Sequence, residues 1–202
     1  MANKYRKKPK QHRSKVTVDA LLEATTHILL KGGVEALTTN HVAEMAGVSI
    51  GSLYQYFPNK ASLIAALIEQ HVDHEVSTLK KVFLNWKGMP GEQLFRSVIN
   101  ELIQIHLNDI ELTKLLHQQV SYLECRQALR EATKYFESIV EALLNAQFKV
   151  QLSTKEIKVR AFVVTNAIDS LIQLALVENT EILSEPYFQD ELVKLVNQAF
   201  EV

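Results

Sequence analysis

The chain has 202 residues, 47% of them hydrophobic, a formal net charge of −1 and a single cysteine, Cys125. That length allows one large or two small domains with a core of their own, while a lone cysteine excludes an intrachain disulfide and suits a reducing cytoplasm. The basic start is not followed by an apolar segment of the secretory kind, and the longest apolar region, 161–177, is interrupted by Asn166, Asp169, Ser170 and Gln173, so neither export nor a membrane span is expected.

The near-neutral total hides a division. Residues 1–60 hold nine lysines and arginines against four acids, which leaves thirteen against nineteen for residues 61–202. A basic end attracts the phosphate backbone of a nucleic acid, and an acidic remainder keeps non-specific binding weak. Within residues 1–15, Lys4, Arg6, Lys7, Lys8, Lys10, Arg13 and Lys15 stand without a single acid, which predicts an arm with no fixed structure. Arg6, Lys7, Lys8, Lys10 and Arg13 then serve either as a minor-groove arm or as a solubilising tail.

The next informative stretch is Thr38 to Lys60. Thr38 and Thr39 suit an N-cap, and Val42, Ala43, Met45 and Ala46 follow at helical spacing until Gly47 ends the helix. Ser49 restarts a helix as its cap, with Val48 and Leu53 at the staple positions, and Pro58 stops it after Tyr56 and Phe57. A small Ala43 at the crossing, a glycine able to take positive φ in the turn, and an inward stripe of Leu53 and Tyr56 outline a helix-turn-helix. Its second helix points Ile50, Gly51, Ser52, Tyr54 and Gln55 outward, a small or hydrogen-bonding, uncharged face that suits a DNA groove. Gly51 costs roughly 1 kcal/mol against alanine inside a helix, so either close approach to DNA requires it or it extends the turn. Asn59 suits the N-cap of a third helix. Lys60 then sits in the first turn, where the helix dipole disfavours a cation unless a phosphate lies there too; otherwise it is an ordinary solvated lysine.

The ordered set Thr38, Thr39, Val42, Ala43, Ala46, Gly47, Val48, Ser49, Gly51, Leu53, Tyr54, Tyr56, Phe57, Asn59 and Lys60, preceded by a helix over 18–31 and by Gly32 and Gly33, resembles the signature of the TetR family of ligand-controlled bacterial transcription repressors. The resemblance covers roughly the first 65 residues at motif level. It implies DNA contacts for Thr39, Ser49, Gly51, Ser52, Tyr54, Tyr56 and Lys60, on a palindromic double-stranded operator read by a homodimer. One departure is Ala61 and Ser62, where the family commonly carries a charged residue shortly after the matching lysine.

Beyond Lys60 the pattern stays helical. One long helix runs to about Trp86, before the Lys87-Gly88-Met89-Pro90-Gly91 loop. Apolar stripes then define helices over 92–107, 110–123 and about 124–148; Ser153-Thr154-Lys155-Glu156 reads as a capping box for another, and Ser184-Glu185-Pro186 opens a last one ending near Phe200. No strand pattern or repeat is visible. The expected fold is all-α: a basic arm (1–15), a three-helix helix-turn-helix DNA-binding domain (16–60) and a larger helical regulatory and dimerisation bundle (61–202).

The helix over 156–178 is apolar nearly all round and must be covered on most sides, which calls for a second subunit. Ile168, Leu195 and Phe200 are the residues placed at that contact, and the resemblance implies a four-helix interface made by the last two helices and their mates. Polar groups that interrupt apolar stripes, namely His106, Gln119, Asn166 and Gln173, are candidates to orient a small-molecule inducer or else satisfied core residues. No nucleophile elbow, zinc-protease motif or Gly-rich phosphate loop is present, so no catalytic residue, metal or cofactor is expected. His71 and His74, with Asp73 and Glu75, read as a solvated polar face, and Cys125, beside Arg126 alone, as inert. The alternatives to an inducible repressor are a relative without an inducer, acting through a protein partner or in chromosome organisation, and an enzyme with an appended DNA module.

Overall fold

The computed structural model describes the backbone of residues 12–85, 91–118, 126–147 and 152–200, without the side chains of 126–129, 131, 132, 146, 147 and 200. Among these residues all regular structure is helical: α1 (His12–Ala36), α2 (Thr39–Met45), α3 (Ile50–Tyr56), α4 (Lys60–Leu84), α5 (Gly91–Asn108), α6 (Ile110–Gln118), α7 (Arg126–Gln147), α8 (Thr154–Glu178), a 3₁₀ turn (Thr180–Ser184) and α9 (Pro186–Phe200). The all-α fold class follows. Two compact units are formed, Met1–Val72 with Glu111–Ala128 and Asp73–Ile110 with Leu129–Val202.

In the first unit α1 buries Val18, Leu21, Leu22, Ile28 and Leu29, and packs on α2 through Val42 and Ala43. The helix starts earlier than the sequence predicts. Arg13 and Lys15, assigned there to the arm, are already helical, and Thr17 Oγ1 donates to the Arg13 carbonyl at 3.0 Å, because nothing at 12–16 breaks the helix that the buried stripe continues. Gly33, with φ 65° and ψ −168°, interrupts α1 near its end. Gly47 adopts φ 65° in the turn between α2 and α3, as its position predicts. A Cβ there would meet nothing within 4 Å, so Gly47→Ala isolates the backbone cost of a left-handed residue. A loss of about 1–2 kcal/mol is expected, read as a lower melting temperature by circular dichroism.

The second unit is built on a core of Leu94, Phe95, Ile99 and Ile103 from α5, Leu143 and Leu144 from α7, the inner stripe of α8, and Leu192, Val193 and Val196 from α9. Ser153 caps α8 with the reciprocal box that the sequence predicts: its Oγ accepts from Glu156 N at 3.3 Å and Glu156 Oε2 accepts from Ser153 N at 2.7 Å. The Ser153 hydrogen bonds hold the Glu156 carboxyl below its ordinary value. Arg160 of α8 ties to α9 by donating to the Ala199 carbonyl at 2.8 Å, and Arg96 of α5 pairs with Asp190 of α9. The 3₁₀ turn before α9, buried through Leu183, is not visible in the sequence pattern.

Helix α8 shows two faces. Ile157, Ala161, Val164, Ile168, Ile172 and Leu176 are buried, while Val159, Phe162, Val163, Leu171, Leu174 and Val177 are exposed. Ile168, which the sequence places at a subunit contact, is 6% exposed and belongs to the protomer's own core. The outward residues are its neighbours, Phe162 at 58% and Leu174 at 57%. The sequence marked the helix as apolar all round and so could not assign its sides. By length and composition alone α8 could also cross a membrane, at mean hydropathy 1.4. Its inner half is instead occupied by the core. On α9, Leu195 is 38% exposed, whereas the Phe200 side chain lies outside the described residues.

Candidate nucleic-acid interface and effector site

The reading unit is set by three caps. Thr38 Oγ1 accepts from His41 N at 3.2 Å and starts α2; Ser49 Oγ accepts from Ser52 N at 3.1 Å and starts α3. Asn59 Oδ1 accepts from Ser62 N at 2.8 Å and starts α4, and Ser62 Oγ in turn lies 3.3 Å from Asn59 N, which donates to it. Ser62, 1% exposed, therefore closes a capping box in the place where a charged residue was missing from the family pattern. Ser62 is a functional support that the sequence reading missed, although an Asn-x-x-Ser spacing at a helix start was there to be seen.

Between these caps α3 buries Leu53 fully and its C-cap residue Phe57 fully, fixing the helix against the unit. Phe57, read in the sequence only as the residue before the terminating Pro58 and as part of the family signature, is among the largest fully buried side chains. The opposite side carries the predicted reading residues. Ile50, Gly51, Tyr54 and Gln55 are exposed, Ser52 and Tyr56 half-buried, and no ionised group lies within Ile50–Tyr56. Thr39 and Tyr54, separate in the sequence reading, meet here: Thr39 Oγ1 and Tyr54 Oη are 3.1 Å apart, joining α2 to α3. Gly51 has no internal reason to be glycine, since a Cβ would find only Ser49 Oγ, at 3.8 Å. Lys60 is exposed at the start of α4, its Nζ donating to the Val34 carbonyl at 3.5 Å, which leaves further N–H donors on the same ammonium. Arg13 is exposed on α1; Arg6, Lys7, Lys8 and Lys10 lie outside the described residues.

In the second unit two of the four predicted effector residues converge. His106 is 5% exposed, and its Nδ1 lies 2.8 Å from the Leu102 carbonyl, an acceptor only, so Nδ1 carries the hydrogen and Nε2 faces Glu75 at 3.6 Å. Asp169 of α8 feels both groups electrostatically, and Gln173 donates to its Oδ2 at 2.8 Å. Asn166 has different partners, donating to Glu137 Oε1 at 3.0 Å and to the Phe162 carbonyl at 2.7 Å. Gln119 and Cys125 lie outside the described residues. Of the four residues read as a solvated face, only Asp73 and His74 are exposed; Glu75 turns toward His106, and the His71 ring meets that of His117 edge-on at 6.5 Å in the first unit.

Although Asp169 as a residue is exposed, desolvation of its carboxyl by the protein around it is the main reason the group is raised above the ordinary 3.8, with Glu75 adding to the rise. A raised carboxyl favours the neutral form in the fold. Its penalty on stability is therefore present above the folded pKa and fades as pH falls through it. Asp169→Asn keeps an acceptor for Gln173 and removes the charge. The variant should resist urea better than the wild type at neutral pH, and the gap should close as the solution is acidified toward the ordinary carboxylate range. A gap independent of pH would mean that Asp169 bears no such penalty.

A cap-delimited helix pair with an exposed, uncharged reading face, in a chain whose other described elements are all helical, defines a helix-turn-helix transcription regulator. The comparisons specify it further. Residues 21–67 match the family of bacterial regulatory proteins named for tetR, and residues 90–198 match the tetracyclin repressor-like C-terminal domain. The second match alone covers more than half of the chain, and the protein belongs to the TetR family of DNA-binding transcription regulators.

Among relatives, the transcriptional repressor KstR of Rhodococcus jostii is 40% identical over 54% of this chain and 49% of its own. The transcriptional regulator TtgR of Pseudomonas putida is 29% identical over 82% of this chain and 83% of its own. The fatty acid degradation regulator FadR from Bacillus halodurans shares the fold at a TM-score of 0.63, with 18% identity and 96% of each chain covered. The chain spans between 24% and 49% of the length of three of the curated relatives it matches.

Proposed function

We propose that this protein is a cytoplasmic, homodimeric repressor that occupies a palindromic operator through α2 and α3 and leaves it when a small molecule binds in the helical bundle. The observation that carries the DNA part is the α3 face of Ile50, Gly51, Tyr54 and Gln55, exposed and uncharged on a helix locked by Leu53 and Phe57. Thr39, Ser49, Ser52 and Tyr56 flank that face, and Lys60 with the start of α4 takes a phosphate. The repressor KstR, the relative matched at 40% identity, supports the sense of regulation.

Dimerisation through the outer face of α8 and Leu195 supports the reading of two half-sites, since a two-fold protein matches a two-fold operator. Helix α4 gives the bundle a lever on DNA, because one continuous helix carries Lys60 at its start and Glu75 fifteen residues on. A ligand that fits best when the two reading heads are out of register with the half-sites shifts the population toward the free form, and by reciprocity DNA weakens that ligand equally.

The test is calorimetry of the identified ligand against free dimer and against dimer on its operator. Ligand binding should be weaker to the complex by the coupling factor, about 5- to 150-fold for a regulatory coupling of 1–3 kcal/mol. Equal affinities would remove ligand-driven release and leave a regulator that works through a protein partner.

A further inference from the structure

We propose that α3 reads A·T pairs in the major groove, with Gln55 on the edge of an adenine and Ile50 on the methyl group of a thymine. This names the base class for the operator reading above and rests on it. Gly51 and Gln55 stand one turn apart on α3, and helical geometry puts both across the axis from the fully buried Leu53. They hold the middle of the exposed face.

The glycine and the glutamine explain each other. A helical side chain leans back over the turn before its own, so Gln55 projects over the turn that Gly51 leaves bare, where a Cβ would meet only Ser49 Oγ, at 3.8 Å. That space is open to a base edge. The neighbouring hydroxyls are engaged within the protein: Ser49 and Ser52 Oγ are 2.8 Å apart, and Tyr54 Oη meets Thr39 Oγ1 at 3.1 Å. The Gln55 amide is exposed and has no hydrogen bond to another described residue. It has both donor and acceptor to offer.

Base chemistry then decides the partner. A carboxamide sets an acceptor beside its donors, and in the major groove only adenine sets a donor, the N6 amino group, beside an acceptor, N7; guanine shows two acceptors, cytosine a donor and thymine an acceptor. In that pairing Gln55 Nε2 donates to N7 and Oε1 accepts from N6. Guanine is most often read by arginine or lysine, and α3 carries neither. Ile50, 38% exposed, and Tyr54, 39%, also stand one turn apart and give one flank of the face an apolar surface. Such a flank suits thymine, the base whose groove edge carries a methyl group.

The experiment uses the full-length protein and a library of duplexes with a randomised core, from which bound sequences are selected and read. The wild type should enrich a site with an A·T pair that is lost from the Gln55→Ala pool while the flanking positions persist. Gln55→Glu keeps the size and replaces the donors by an acceptor, so its pool should turn from adenine to cytosine at that position. On the selected site, 7-deazaadenine, which lacks N7, should weaken the wild type about tenfold and leave Gln55→Ala unaffected. Uracil for thymine removes only the methyl group; opposite Ile50 it should cost the wild type about fourfold and Ile50→Ala nothing. Circular dichroism melts establish that each variant is folded, the substituted side chains being exposed. A site untouched by Gln55→Ala, a G·C pair at the position that responds, or an adenine preference that survives Gln55→Glu overturns the adenine assignment. Equal binding of uracil and thymine sites by the wild type overturns the role of Ile50. A wild-type pool with no common sequence refutes the operator reading itself, which an enriched site of other composition leaves standing.

Discussion

Phe162→Glu should convert the protein to monomers and weaken operator binding by at least about a hundredfold, because a single reading head retains only one half-site and loses the gain of linked binding. The logic lies in where Phe162 sits. It is 58% exposed on one protomer, so a glutamate there is solvated and the monomer should keep its helicity and melting behaviour. In a dimer the same charge enters an apolar face shared with Val159, Val163, Leu174 and Val177, unpaired and desolvated. Sedimentation reads the mass and circular dichroism the fold. Leu195→Glu on α9 should act in the same direction and more weakly, being less exposed. Ile168→Glu is the contrasting control: buried in the protomer's own core, it should unfold the second unit. A dimer that persists in both Phe162→Glu and Leu195→Glu would place the subunit contact elsewhere.

That contrast also shows which parts of the molecule were legible in the sequence. Helix ends were, wherever a side chain stops or starts them by local chemistry: Thr38, Ser49, Asn59 and the Ser153–Glu156 box all cap as their residue types require, and Gly47 takes the positive φ that its turn needs. The reading face of α3 was legible for the same reason, since the seven residues of a helix that a serine caps and a nearby proline stops have one inward stripe.

What escaped was relational. Nothing in the spacing of Thr39 and Tyr54 announces a 3.1 Å contact fifteen residues apart, because it depends on the angle between two helices. The two apolar sides of α8 have similar hydrophobicity, so only packing decides that Ile168 turns inward and Phe162 outward. The effector candidates were chosen as polar interruptions of apolar stripes. That signal correctly marked His106 as buried, but it could not tell that Gln173 answers Asp169 while Asn166 answers Glu137.

Gly51→Ala should make the reading unit more stable and a worse DNA binder at once. In the second position of α3 an alanine meets only Ser49 Oγ, at 3.8 Å, so nothing in the protein resists the methyl group. Relief of the glycine penalty should raise stability by up to about 1 kcal/mol. Against DNA the methyl group projects from the first turn of the helix that faces the groove, next to Ile50 and Tyr54, and holds the backbone away from the duplex. A loss of about tenfold or more in operator affinity, roughly 1.4 kcal/mol, is the expected cost. Because it acts by shape, the loss should leave the slope of affinity against salt unchanged. Lys60→Ala supplies the opposite signature: if its ammonium neutralises one phosphate, the logarithmic salt slope should fall by about 0.9, with the loss spread evenly over operator and unrelated DNA. Titrations at several salt concentrations separate the two. Should Gly51→Ala bind its operator as well as the wild type, the glycine serves the turn alone, and the groove-facing orientation of α3 loses its main support.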